Sequence, residues 1–157
     1  MRWALAAILL SGCAALEPSA GKADFELAAR IAVRYGEEAL SGSIAWRHGV
    51  DSDEMLLTGA LGTGLARIVR TRDGVVLTTA EPKEYRAADA EALTEQALGF
   101  RLPLRGLADW VRGNPSPELE ARGWKIEYQE RDAQSRPTRL RVTYPNLELR
   151  LANIVWK

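Results

Sequence analysis

The feature that most restricts the fold of this chain is an alternation of apolar and polar side chains with a period of two. It is clearest in residues 25–35, where Phe25, Leu27 and Ile31 lie on one parity and Glu26 and Arg30 on the other. Successive side chains of an extended chain point to opposite faces. This segment therefore predicts a β-strand with one buried face.

Further segments show the same alternation, or a short apolar run bounded by turn residues. They cover residues 40–48, 55–58, 65–69, 75–78, 124–129, 140–144 and 147–151. The links in the first half are short, and turn residues such as Gly36 and Gly74 favour antiparallel pairing of consecutive strands. We expect roughly nine strands, a number that favours a curled or nearly closed sheet over a flat one with long free edges.

Two segments between the strands have helical spacing instead. Asp89 is suited to cap the first helix, whose expected apolar face comprises Ala90, Leu93, Ala97 and Leu98. The second is expected between Pro103 and Gly113, with an apolar face comprising Leu104, Leu107, Ala108 and Val111. The pattern as a whole predicts a mainly β fold with short helices.

The first residues predict a secretory signal, with Arg2 followed by a short apolar run over residues 3–10. A membrane-spanning helix would need about 20 apolar residues, and Pro18 arrives too soon. Leu10-Ser11-Gly12-Cys13 resembles the lipobox of bacterial lipoproteins, whose cysteine receives a diacylglyceryl group before cleavage. We therefore expect a removed signal over residues 1–12 and a lipidated tether over 13–23. An ordinary signal that ends beside a cysteine by chance is the less favoured alternative.

Composition predicts a single folded domain over residues 24–157. The chain has 157 residues, of which 21 are Lys or Arg and 21 are Asp or Glu, so no strong electrostatic field favours nucleic acid as a partner. About 145 residues remain without the signal, which is enough to bury one core. Cys13 is the only cysteine, so a lipid on it leaves no thiol for a disulfide, a metal site or catalysis. We expect a monomer.

The sequence carries no recognisable catalytic motif. His48 is the only histidine, and no cluster with ligand spacing accompanies it, so a hydrogen-bonded histidine at a strand end is the better interpretation than a metal ligand. Neither a Gly-x-Ser-x-Gly elbow nor a His-Glu-x-x-His pair is present. We therefore predict a protein without enzymatic activity, metal or cofactor.

The glycine-rich segment 59–64 has two interpretations of its own. A phosphate-binding loop should open a helix, whereas residues 65–72 have the pattern of a strand, so we reject that function. Gly59, Gly62 and Gly64 instead supply a turn between strands, and Leu61 lies among them. Leu61 either projects from the loop tip or folds back onto the core, and the pattern gives these alternatives comparable weight.

Several short motifs, in their order and spacing, resemble the LolB family of outer-membrane lipoproteins over nearly the whole mature chain. In the first half they are Phe25-Glu26-Leu27, Arg30-Ile31-Ala32-Val33, Ser41-Gly42, Trp46, Leu56-Leu57-Thr58 and Ala60-Leu61-Gly62. In the second half they are Leu102-Pro103-Leu104, Leu107, Trp110, Gly113-Asn114-Pro115, Gly123-Trp124-Lys125-Ile126, Tyr128, Pro137, Leu140 and Trp156.

The resemblance implies a fold and candidate site residues. The fold would be an incomplete antiparallel β-barrel, of the LolA and LolB kind, whose helices close an apolar cavity. Leu61 matches an exposed leucine that the family uses at the membrane, although the preceding residue is often proline there and is Ala60 here. The residues expected to line the cavity are Trp46 and, less strongly indicated, Leu57, Trp124 and Tyr128. Each of these could equally belong to a closed core.

The resemblance also implies a function. The chain would be anchored by Cys13 in the outer membrane and would face the periplasm. The residue after Cys13 is Ala14 and not the aspartate that retains many lipoproteins in the inner membrane. Its partners would be a periplasmic LolA-like carrier, the acyl chains of client lipoproteins and outer-membrane lipid. It would accept lipoproteins and insert them into the inner leaflet. The alternative is a structural lipoprotein that docks protein partners at the outer membrane without lipid transfer.

Overall fold

The computed structural model describes residues 21–81 and 83–157. The signal, the lipobox and Cys13 lie outside these residues. The described chain forms nine β-strands and three short α-helices. In chain order they are β1 (Phe25–Tyr35), β2 (Glu38–His48), β3 (Asp53–Thr58), β4 (Gly64–Thr71), β5 (Gly74–Thr79), β6 (Glu84–Ala87), α1 (Ala90–Leu98), α2 (Leu104–Val111), α3 (Pro117–Ala121), β7 (Lys125–Arg131), β8 (Pro137–Tyr144) and β9 (Leu147–Trp156).

All nine strands belong to one antiparallel sheet in the order β6-β5-β4-β3-β2-β1-β9-β8-β7. The chain builds the sheet outward from β1 to β6, crosses through the three helices, and returns from β7 to β9, which pairs with β1. Within the described residues, β6 and β7 remain the two edges and do not pair with each other. This confirms the predicted incomplete antiparallel barrel.

Interruptions of the strand register help the sheet to bend. The pairing of β1 with β9 shifts between Ala28 and Arg30, opposite Asn153, which has a φ of 52°. A second shift lies between Leu57 and Thr58, at the end of the pairing of β3 with β4. An extra residue on one strand increases the local twist and bends that strand. The sheet therefore curls enough for both edges to approach the helices.

The helices show where the sequence pattern was right and where it was wrong. The Asp89 carboxylate accepts a hydrogen bond of 2.8 Å from the Ala92 amide and caps α1, as predicted. Leu98, however, is 43% exposed, and Thr94 is buried in its place. Thr94 can be buried because its hydroxyl donates a hydrogen bond to the Ala90 carbonyl and accepts one from the Leu102 amide. A polar side chain thus occupies a position that the apolar pattern did not assign to the core.

Two short elements were missed. Strand β6 has four residues and α3 has five, and neither length shows a clear periodicity. α3 begins at Pro117, whose fixed φ suits the first turn of a helix. Gly106 of α2 allows α3 to pack closely, since a Cβ atom there would lie 2.3 Å from Cδ1 of buried Leu119.

The hydrophobic core lies between the concave face of the sheet and α2. The buried face of α2 consists of Leu104, Leu107, Ala108, Trp110 and Val111, four of which the spacing predicted. The Tyr128 hydroxyl on β7 donates a hydrogen bond of 2.9 Å to the Trp110 carbonyl oxygen and ties α2 to the sheet. Every described strand, helix and core residue lies between Phe25 and Trp156. None of the described helices is long and apolar enough to cross a membrane.

Candidate functional site

A small, wholly apolar cavity lies between the concave face of the sheet and α2. Its volume is about 40 Å³. The strands contribute Ile31, Ile44, Trp46, Met55, Leu140, Val142, Leu149 and Leu151. The opposite wall consists of Leu102, Leu104, Leu107, Trp110 and Val111, which belong to α2 and the residue pair before it.

This cavity is too small for a long acyl chain. A volume of 40 Å³ is close to the roughly 30 Å³ that one water molecule occupies in the liquid. Pockets for drug-sized ligands measure about 300–1,000 Å³. A long acyl chain therefore fits only if α2 or the segment before it moves away from the sheet, and the lining would then offer it apolar contacts throughout.

Trp46 lies in the wall of this cavity and is held by a buried carboxylate. Its side chain is buried and its Nε1 donates a hydrogen bond of 2.9 Å to Oδ1 of Asp53. Phe25 packs edge-on against the Trp46 ring at a centroid distance of 5.1 Å. The indole is therefore fixed at both its polar and its apolar end.

Asp53 has hydrogen-bonding partners on the two strands that flank its own. His48, Asp53 and Arg70 are direct cross-strand neighbours on β2, β3 and β4. His48 Nδ1 lies 2.5 Å from Asp53 Oδ1, and Arg70 Nε lies 2.5 Å from Asp53 Oδ2. The histidine at the end of its strand is thus buried and hydrogen-bonded, as predicted. No group of three or more His, Cys, Asp or Glu residues in the described chain could hold a metal ion.

The ionisation of Asp53 follows from these contacts. Burial opposes the charged form, but the hydrogen bonds from His48, Trp46 and Arg70 outweigh burial and hold the pKa of the Asp53 carboxyl below its usual value. This network was not predicted from the sequence. Its signal was the presence of His48, Asp53 and Arg70 on the inward parity of three consecutive strands, where apolar residues are the rule.

The other expected cavity residues lie elsewhere in the described structure. Leu57 is half-buried against the core. Trp124 is buried and stacks on Tyr144 with a centroid distance of 4.6 Å. The Tyr128 hydroxyl donates a hydrogen bond to the Trp110 carbonyl of α2, and the Arg131 guanidinium lies 4.4 Å from the centroid of the Tyr128 ring. Trp110, which sequence reasoning did not nominate, faces Trp46 across the cavity as a second large aromatic wall residue.

Leu61 lies at the tip of the loop between β3 and β4. This loop covers residues 59–63 and is closed by hydrogen bonds from the Gly59 amide to the Thr63 carbonyl (2.9 Å) and from the Gly62 amide to the Gly59 carbonyl (3.0 Å). Gly62 has a φ of 76°, a left-handed conformation that favours glycine. The Leu61 side chain is 92% exposed, so of the two alternatives the structure has the projecting leucine.

Comparisons with known proteins agree with this architecture. The family model described as outer membrane lipoprotein LolB matches residues 23–156. The outer-membrane lipoprotein LolB of Thiobacillus denitrificans is 38% identical, over 94% of this chain and 91% of its own length. Its counterpart in Nitrosomonas europaea is 36% identical, over 85% of this chain and 72% of its own length. The counterpart in Azoarcus sp. is 32% identical, over 98% of this chain and 92% of its own length. With its incomplete barrel, its apolar interior and its projecting leucine, the chain belongs to the LolB family of outer-membrane lipoproteins.

Proposed function

We propose that this protein is a lipid-anchored acceptor that takes lipoproteins from a periplasmic carrier and inserts them into the inner leaflet of the outer membrane. It acts by binding and release, without covalent chemistry. Family membership supports this proposal. The observation that carries it is the wholly apolar cavity between the sheet and α2, with an exposed leucine on a loop of the same sheet.

The energetics of acyl chains explain why such a cavity is needed. Burying a lipid chain is worth about 0.8 kcal/mol per CH₂, so three chains of roughly 15 carbons amount to on the order of 35 kcal/mol. A tenfold change in population corresponds to about 1.4 kcal/mol, so passage of bare chains through water is negligible. A client must therefore move from one apolar interior to another, and it moves forward without a nucleotide if the acceptor binds it more tightly.

Uptake requires α2 to open. In the closed form the apolar face of α2 covers the sheet, and the incoming acyl chain replaces those contacts with its own. The exchange of one apolar surface for another costs little hydrophobic free energy, because the lining residues stay out of water. The Tyr128 hydroxyl and the contact of Gly106 with Leu119 are the attachments that hold α2 in place.

Delivery depends on Leu61 and on the anchor. A leucine tip that enters the acyl boundary of a bilayer gains roughly 1.5–3 kcal/mol from apolar burial. That gain holds the loop against the membrane while the acyl chains of the client leave. A lipid on Cys13 keeps the domain near the bilayer, and the tether of residues 13–23 spans at most about 35–40 Å when fully extended.

The test is a titration of the domain that begins at Ala14 with an environment-sensitive fatty-acid probe. This fragment retains every described strand and helix. We expect a saturable fluorescence enhancement that an added lipoprotein competes away. A flat titration with a domain that melts cooperatively would contradict the transfer function.

One observation also favours the second candidate, a structural lipoprotein that docks protein partners. The cavity between the sheet and α2 is nearly filled, with about 40 Å³ of empty space, as it would be in a protein without a lipid ligand. The same titration separates the two functions, because a filled core takes up no probe.

A further inference from the structure

The outer surface of the barrel carries a cluster of arginines around Glu148 on β9. Glu148 on β9 is 14% exposed and forms ion pairs with Arg34 (3.7 Å), Arg150 (2.7 Å) and Arg141. One carboxylate thus faces three guanidinium groups, and Glu127 reaches Arg141 only at 3.9 Å. The cluster retains net positive charge after these pairings.

Arg30 adds a further positive charge on the neighbouring strand. It is exposed and makes no ion pair among the described residues, and its Nη1 donates a hydrogen bond of 3.1 Å to the Ser43 hydroxyl. On the outer face of β1 it lies two residues from Ala32, whose partner on β9 is Arg150. Arg30 and Arg150 therefore flank the same stretch of the sheet.

A depression of about 360 Å³ lies between these two arginines and the loop. Arg30 and Arg150 line it together with Ala60, the residue before Leu61, and its floor is apolar. No carboxylate of the described chain lines it. Gly42 forms part of the floor, and it permits the loop base to approach, since a Cβ atom there would lie 2.2 Å from the Thr58 carbonyl oxygen.

The depression is also next to the interior of the barrel. Ile31 lines both the apolar cavity and the depression, so the two spaces lie on opposite faces of the same stretch of β1. A site with guanidinium groups at its rim, an apolar floor and an exposed leucine at its edge matches a phospholipid, whose phosphate is anionic and whose glycerol and first methylenes are less polar.

We propose that the depression between Arg30, Arg150 and the loop of residues 59–63 binds the phosphate of an anionic membrane phospholipid while Leu61 enters the acyl region. The proposal rests on the delivery function proposed above and adds the headgroup contact to it. The two arginines orient the barrel so that the Ile31 side of the cavity faces the leaflet that receives the client.

The test is vesicle binding by the domain that begins at Ala14, measured by co-sedimentation at low salt. Vesicles of phosphatidylethanolamine alone are compared with vesicles that also contain phosphatidylglycerol. Each arginine near an anionic surface strengthens binding about fivefold, so the double variant Arg30→Gln, Arg150→Gln should bind the anionic vesicles roughly 10- to 30-fold more weakly than wild type. Its binding to vesicles without phosphatidylglycerol should be unchanged.

The matched control is Arg72→Gln, Arg86→Gln, which removes the same charge from exposed positions on the β4–β5 turn and on β6, away from the loop. It should bind both kinds of vesicle like wild type. Equal losses in the two double variants, or a wild-type domain indifferent to phosphatidylglycerol, would overturn the proposal. A loss confined to transfer from the carrier, with vesicle binding intact, would assign the surface to a protein and overturn it as well.

Failure of this proposal differs from failure of the delivery function. The fatty-acid titration contains no vesicles, and both double variants should take up the probe with wild-type affinity. Normal probe uptake with charge-independent vesicle binding rejects only the headgroup site. Absence of probe uptake in every variant rejects the acceptor function itself.

Discussion

At the scale of single residues, the structure separates two polar features with different energetics. Asp53 is buried and accepts hydrogen bonds from Trp46, His48 and Arg70, whereas Asp51, two residues earlier, forms an exposed ion pair with Arg72. Removing one partner of a buried network leaves the other charges uncompensated, while exposed pairs contribute little. The same carboxylate also fixes Trp46 in the cavity wall.

We therefore expect Asp53→Asn to destabilise the domain by about 3–5 kcal/mol, since it leaves the buried Arg70 without an anionic partner. Asp51→Asn is the matched control and should leave the free energy of unfolding close to that of wild type, because its ion pair with Arg72 is exposed. Urea denaturation measures both. Equal losses in the free energy of unfolding would show that the buried network around Asp53 stabilises the fold no more than the exposed pair of Asp51 does.

The network also makes stability depend on pH. The pKa of the Asp53 carboxyl is lower in the folded protein than in the unfolded chain, so its contribution is complete above the unfolded value of about 3.9 and is lost as the pH falls through the folded value. We expect the difference in unfolding free energy between wild type and Asp53→Asn to be constant above about pH 5 and to shrink below pH 4. A difference that grows on acidification would contradict this assignment.

Leu61 is a residue whose role in delivery can be tested separately from the stability of the fold and from uptake of the probe. Because its side chain is 92% exposed, Leu61→Glu should melt near the wild-type temperature and take up the fatty-acid probe normally, yet fail to release lipoprotein into liposomes. Val50→Glu, an exposed loop residue beyond the other end of β3, is the control and should deliver normally. A large loss of melting temperature, or undiminished delivery, would remove Leu61 from the mechanism.

Among the elements, α2 covers the cavity, and it is the part that moves in the proposed function. Its apolar face supplies four of the lining residues, and its carbonyl at Trp110 accepts the Tyr128 hydroxyl of β7. Partial burial raises the pKa of Tyr128, so this hydroxyl remains a donor. The bond is one attachment that opening must break.

Tyr128→Phe keeps the ring and removes this bond. We expect a loss of about 0.5–1.5 kcal/mol in the free energy of unfolding and faster uptake of the fatty-acid probe, because α2 opens more readily. Tyr144→Phe is the control, since no hydrogen bond of the Tyr144 hydroxyl is found among the described residues. Stopped-flow fluorescence measures uptake. Unchanged or slower uptake by Tyr128→Phe would show that α2 is not the cover that moves.

Elements also show what the sequence could and could not predict. Long alternating segments such as β1 and β2 and the spacing of α2 were predictable, because their buried faces repeat over many residues. The four residues of β6 and the five of α3 were not, because tertiary contacts rather than local periodicity hold them. The Asp53 network was missed for a related reason, since it joins three strands whose register a single sequence does not state.

The molecule as a whole is a curled sheet with three distinct surfaces. The inside is apolar and nearly closed by α2, the loop of residues 59–63 projects Leu61, and arginines line the outer face beside that loop. Resemblance indicated the cavity and the leucine, whereas the small volume of the cavity and the adjacent arginines required the three-dimensional structure. In the proposed function, the inside receives the acyl chains, and the loop and the arginines contact the membrane.

The most direct measurement mixes a carrier loaded with a labelled lipoprotein with the domain that begins at Ala14, without nucleotide or membrane, and separates the products by size-exclusion chromatography. We expect the label to move to the domain, and Leu61→Glu to receive it equally well because uptake precedes membrane contact. Label that stays with the carrier, in the presence of a domain shown to be folded by its cooperative melting, would contradict the claim that this protein is a lipoprotein acceptor.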